Sequence, residues 1–242
     1  MNETHDKRRK RFYEAATVVE VAGKLPRYRV LLDGRGVRTP ARREQVVPSR
    51  ELAEALCDEW LAQATHIDPL TMPLTRQVNS ALDAVANMPD AVREVIVDFG
   101  TSDLLCYVAE GPEELVARQS REWGAIHAWA QQTFGIELQL AVGVMPVEQD
   151  RKMLARIDAA LGPAGPVLLA ALNVIAGLTG SVLLTLAVRH GRITAAEAWS
   201  LAHLDEDFQI ERWGEDPTAA ARRRQHWIEV AAACRIVAML EA

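Results

Sequence analysis

Residues 167–188, VLLAALNVIAGLTGSVLLTLAV, run for 22 residues without a charged side chain. Such a run must leave water, either into lipid or into a protein core, and its length alone would permit a membrane span. Its details point to the core. Asn173, Thr179, Ser181 and Thr185 are polar, Gly177 and Gly180 interrupt the middle, and no aromatic belt flanks it. The segment therefore predicts one kinked helix or two short buried helices, with no stable membrane insertion.

A core of that kind needs chain around it. The sequence has 242 residues and is 49% hydrophobic, enough for one large domain or two small ones. The formal net charge of −6 argues against a general nucleic-acid binder. Lys7, Arg8, Arg9, Lys10 and Arg11 form a basic run near the start, and residues 1–10 read as a disordered basic tail. No apolar stretch follows it, as a secretory signal would require. Cys57, Cys106 and Cys234 are far apart and in no CxxC pair, which fits small buried hydrophobes in a reducing compartment.

Patterning divides the chain. Residues 12–21 are rich in β-branched and aromatic side chains. Tyr28, Val30 and Leu32 then alternate along a second strand, and Asp33-Gly34 is a hairpin-turn signal. Ser49 reads as an N-cap, with Leu52, Leu56 and Trp60 as one apolar stripe of the helix after it. That stripe makes Leu52, Leu56 and Trp60 structural residues. Helices are expected over residues 74–86 and 89–99, and a buried strand over 104–108. After Pro112 the signal turns helical: residues 113–134, 149–161, the uncharged run, a start at Thr194 and a last helix from Asp216. Thr194 and Glu197 form a capping box. Residues 135–146 are a break containing a short extended piece. The fold class is thus an α+β N-terminal domain, a small antiparallel sheet with helices, over residues 11–109. An all-α domain covers residues 110–242.

Catalytic patterns are absent. No GxxxxGK[ST], GxSxG, HExxH or GxGxxG occurs, so Gly177-Leu178-Thr179-Gly180-Ser181 is no phosphate loop of that type. His203 with Asp205 and Asp207 has the chemistry of a metal site, and a metal-dependent hydrolase is the enzyme alternative. Asp103 suits a turn acceptor better than a catalytic acid. Arg76 and Asn79, after Thr75, are candidates for an anion site. No catalytic residue, metal or cofactor is assigned.

The block 201–224, LAHLDEDFQIERWGEDPTAAARRR, is acidic and aromatic at once. Drawn as one helix over residues 195–213 at about 100° per residue, it has two apolar stripes. Trp199, Glu206, Ile210 and Trp213 share one; Leu201, Leu204 and Phe208 share the other. Asp207 and Glu211 lie on one side between them, Asp205 and Arg212 on the other. The helix is therefore either sandwiched or faces a partner, and Glu206, set among aromatics, needs a cation. Arg222, Arg223 and Arg224 are internal candidates; an arginine of another protein is the alternative.

Several blocks in one order carry a resemblance: RFYEAATV (11–18), LLDGRGVRTP (31–40), VVPSRELAEAL (46–56) with Glu59-Trp60, IDPLTMPLTR (67–76), DLLCY (103–107) and LDEDFQIERWGED (204–216). With them the chain resembles the assembly chaperones of the ATP synthase catalytic head, the ATP-twelve family. The resemblance implies no enzyme. It implies a chaperone that binds the unassembled α subunit and prevents its aggregation until β pairs with it. It also implies that Asp205, Glu206, Asp207, Glu211 and Trp213 form the partner-binding surface. The short start favours a bacterial cytoplasmic protein, or the mitochondrial matrix in a eukaryote. A monomer is expected. A membrane-associated scaffold using residues 167–188 is the remaining alternative.

Overall fold

A computed structural model describes residues 8–143 and 148–241. Residues 1–7 of the expected tail, and 144–146 of the expected break, lie outside the described residues. By its contacts the chain forms two compact units that divide between Asn87 and Met88. The boundary expected at 109–110 falls within the second.

In the first unit, β1 (Ala16–Glu20), β2 (Tyr28–Leu32) and β3 (Arg35–Gly36) form an antiparallel sheet in that order, with Val18 opposite Val30. Asp33 and Gly34 both have positive φ, 45° and 78°, the backbone that a tight hairpin requires. The Asp33 carboxylate anchors that turn by accepting from the Glu14 and Ala15 amides. One face of the sheet receives α1 (Arg50–Leu61), whose Leu52 and Leu56 are fully buried beside Val30. Ser49 caps α1 by accepting from the Leu52 amide.

Trp60, the third member of the α1 stripe, is only half-buried. Its ring meets the edge of Tyr13 at 5.7 Å, and Tyr13 Oη donates to the Trp60 carbonyl. The next residue back, Glu59, reaches α2 (Pro73–Asp83) and accepts from the Leu74 and Thr75 amides, both at 2.8 Å. The anion at that helix start is thus a carboxylate of the chain itself. Asn79, the other candidate there, accepts from Gln45. The expected tail is held at its last residues: Arg8 pairs with Asp68 at 2.6 Å, and the Arg9 carbonyl accepts from the Ile67 amide.

The second unit is mostly helical: α3 (Pro89–Asp98), α4 (Glu113–Phe134), α5 (Arg151–Leu161), α6 (Pro166–Thr179), α7 (Val182–Arg189), α8 (Ala195–Ala202), α9 (Leu204–Trp213) and α10 (Pro217–Glu241). The uncharged run is α6 and α7. Gly180 ends α6 with φ 68°, and Ser181 caps α7 by accepting from the Leu184 amide. α6 packs against α3, α7 and α10 and is apolar almost all round. The threonines of the two helices close on nearby carbonyls: Thr179 of α6 donates to Ile175, and Thr185 of α7 to Ser181. No helix among the described residues is long and apolar enough to cross a membrane.

The strand expected over 104–108 is mostly not one. Leu104–Cys106 is a 3-10 turn, and only Tyr107–Val108, here β4, is extended, pairing in parallel with β5 (Ala141–Val142). Asp103 sets this. Its carboxylate is fully buried and accepts from the Leu105 amide, Ser181 Oγ and the Leu183 amide, each at 3.0 Å. It turns the chain at Leu105 and caps α7 at once. Burial pushes its carboxyl up, against the pull of those three donors. Burial likewise pushes the thiols of Cys106 and Cys234 up to about 12, so both stay protonated and act as apolar filler.

Candidate functional site

The helix drawn over residues 195–213 is two helices, broken at His203. The His203 imidazole turns back and its Nδ1 bonds the Trp199 carbonyl at 2.9 Å. A side chain that enters the backbone ladder is an ordinary cause of a kink. Ring contacts reinforce it: Trp199 lies 3.9 Å from His203 and 5.7 Å from Trp227, centroid to centroid. Burial is the main reason the His203 pKa is lowered from 6.5; Arg223 adds to it, and the Trp199 carbonyl, Glu206 and Asp207 oppose it. His203 Nε2 is 3.8 Å from Glu206, but a neutral imidazole makes no ion pair there.

One expected stripe is in the core: Leu201, Leu204 and Phe208 are all buried. The other is not. Trp199 and Ile210 are half-buried, and Trp213 is 77% exposed. The α9 helix is therefore buried on one side only. Glu206 is not enclosed among aromatics as expected; its side chain keeps 40% of its exposure.

Charges fix α9 on its flanks. From α4, Gln119 donates to Asp205 at 2.7 Å, Arg118 pairs with Glu211 at 2.9 Å, and Glu114 pairs with Arg212. From α10, Arg223 pairs with Asp207 at 2.6 Å and stands 3.9 Å from Glu206. Of the three candidate arginines, Arg223 is the one that reaches the block. Sequence periodicity finds none of the α4 partners, because helix-to-helix pairing at a separation of 93 residues has no local signature. Gln119 is buried and also accepts from the Ala109 amide, which ties α9 to the end of β4.

His203, Asp205 and Asp207 thus point to different partners. Among the described residues no three His, Cys, Asp or Glu side chains gather as a metal site. What the arrangement does present is an open cleft of about 230 Å³ between α9 and the start of α10. Glu206, Ile210, Trp213, Glu215 and Asp216 line it, with Arg223 as its one cation among the described residues. Asp216 itself caps α10 through the Ala219 amide. An acidic cleft beside an exposed indole suits the binding of a basic and apolar protein face.

Comparison with known proteins places the chain as a whole. The model of the ATP12 chaperone protein family matches residues 10–131. The protein "Protein atp12, mitochondrial" of Schizosaccharomyces pombe is 23% identical over 198 residues, covering 76% of this chain and 68% of its own. Among solved structures, the Atu1473 protein of Agrobacterium tumefaciens superposes with a TM-score of 0.91. It is 44% identical, with 96% of this chain and 86% of that one covered. Atp12 from Paracoccus denitrificans gives a TM-score of 0.89 at 38% identity, covering 96% of this chain and 98% of its own. A lysine-for-aspartate mutant of P. denitrificans Atp12p gives 0.89 at 37%, covering 96% and 97%.

Proposed function

Because the chain belongs to the ATP12 chaperone family, we propose that it binds the unassembled α subunit of the ATP synthase catalytic head and holds it until the β subunit takes its place. An α subunit without β exposes apolar interface that would otherwise self-associate. A holdase needs no chemistry for this. It needs a surface that grips and then yields.

The observation that carries the reading is Trp213. A large aromatic, 77% exposed, stands at the end of a helix that is otherwise pinned, and a held indole beside charges is the kind of anchor that interface hot spots use. The acids around it form the rim. Asp205, Asp207 and Glu211 spend their charge on internal partners and hold α9 in place, while Glu206 and Glu215 face the cleft. Bacterial cytoplasm is the setting that fits the bacterial relatives, and the mitochondrial matrix fits the fungal one.

The test is suppression of aggregation of purified α subunit. Trp213→Ala and Glu206→Lys should each weaken suppression several-fold and leave the melting temperature near the wild-type value; Glu211→Lys should weaken suppression less, since that carboxylate is already paired with Arg118. Full suppression by Trp213→Ala and Glu206→Lys would remove α9 from the client site.

A further inference from the structure

The first unit carries a second cleft, of opposite sign. It measures about 740 Å³. Phe12, Trp60 and Pro69 are among its apolar lining residues, and Arg8, Arg9, Arg35 and Arg38 are its charged ones; no acid among the described residues lines it. Four guanidinium groups gathered in one cleft of a chain with net charge −6 are a local reversal of sign. Arg8 pairs with Asp68. The Arg9 guanidinium lies 4.3 Å from the centroid of the Phe12 ring. Arg38 donates to the Arg42 carbonyl, and neither Arg35 nor Arg38 has a carboxylate partner among the described residues. Phe12 is 55% exposed, and the Trp60 indole N–H is buried with no acceptor among the described residues.

We propose that this cleft docks an acidic segment of a partner protein, one in which carboxylates flank an apolar side chain. The charge selects the carboxylates: a guanidinium offers two parallel donors that match a carboxylate's two oxygens. The aromatic lining selects the apolar side chain between them. Arginine with Trp and Phe is also the composition that interface hot spots favour. A nucleic acid is the poorer fit. Its extended charge would meet a protein that is acidic overall, and a cleft with four guanidinium groups is too small a basic surface for it. The cleft belongs to the first unit, and the acidic α9 surface to the second.

The experiment uses the full chain and a fluorescein-labelled peptide of alternating glutamate and leucine, read by anisotropy. Lysine–leucine and glutamate–serine peptides are the controls. The glutamate–leucine peptide should bind, weaken with added salt, and bind at least about tenfold less well to the Arg35→Glu, Arg38→Glu double variant. That variant should melt as the wild type does, because neither side chain is in an ion pair. Phe12→Ala should weaken the glutamate–leucine peptide several-fold. Equal binding of the lysine–leucine or glutamate–serine peptide would overturn the proposal, as would unchanged binding by the double variant. A dimer in sedimentation that the double variant abolishes, without peptide binding, would give the cleft to a second copy and also overturn it. So would displacement of the peptide by a short oligonucleotide at a lower concentration than by unlabelled peptide.

Discussion

Helices α6 and α9 belong to one unit and are held in opposite ways. α6 has no charge, is surrounded by α3, α7 and α10, and bonds its buried Thr179 hydroxyl to its own backbone. α9 buries only the Leu204 and Phe208 side and is tethered on its flanks by Gln119, Arg118, Glu114 and Arg223. Apolar burial contributes on the order of 1.5–3 kcal/mol for each large side chain. Half-exposed ion pairs contribute little, about 0–1 kcal/mol each. The first arrangement supplies stability. The second supplies orientation at small energetic cost, so α9 can meet a partner without risk to the core.

The largest loss is expected in the core. Leu183→Ala, at a fully buried site of α7, should lower unfolding free energy by about 2–5 kcal/mol in urea denaturation. A loss within error of zero would mean that the uncharged pair is not the core. Next comes Asp103→Ala, which strands Ser181 Oγ and the Leu183 amide without their acceptor. About 3 kcal/mol should be lost by the same measurement. Retention of wild-type stability would show that α7 does not depend on that cap.

On the α9 side the effects shrink. His203 has a lowered pKa in the folded chain, so the unfolded chain takes up its proton first as pH falls through 6.5. Wild-type stability should therefore drop between pH 6.5 and the lowered folded value, relative to His203→Gln, which has no such proton. Parallel melting curves for the two proteins across that window would contradict a neutral, buried His203. Smallest of all, Arg118→Ala should cost under about 1 kcal/mol, and its coupling to Glu211→Ala in a double-mutant cycle should fade with added salt. A coupling of several kcal/mol would make α9 part of the core after all.

Legibility in the sequence depends on the reach of each signal. The break in residues 167–188 is readable because Gly180 and Ser181 are adjacent and local: one allows the left-handed turn, the other caps α7. Ser49 and the Thr194–Glu197 capping box are readable for the same reason. The apolar stripe of Leu201, Leu204 and Phe208 survives the break at His203, since one residue of kink scarcely rotates it. The break itself is not readable, because a histidine bonding its own helix leaves the period intact. The exposure of Glu206 and Trp213 is hidden for a different reason. Periodicity says which residues share a face and not what, if anything, covers it. The basic cleft draws Arg8, Trp60 and Arg38 from three separated stretches, and only the folded sheet and α1 bring them together.

Trp213 has an optical consequence. Of the six tryptophans in the chain it is the one that is exposed; the others are buried or half-buried. Its emission should sit at the red edge of the protein's spectrum and be the first to be quenched by iodide. A client that covers α9 would shift that component to the blue and shelter it, so docking could be tracked in the unlabelled protein. Trp213→Phe would remove the signal and serve as its blank.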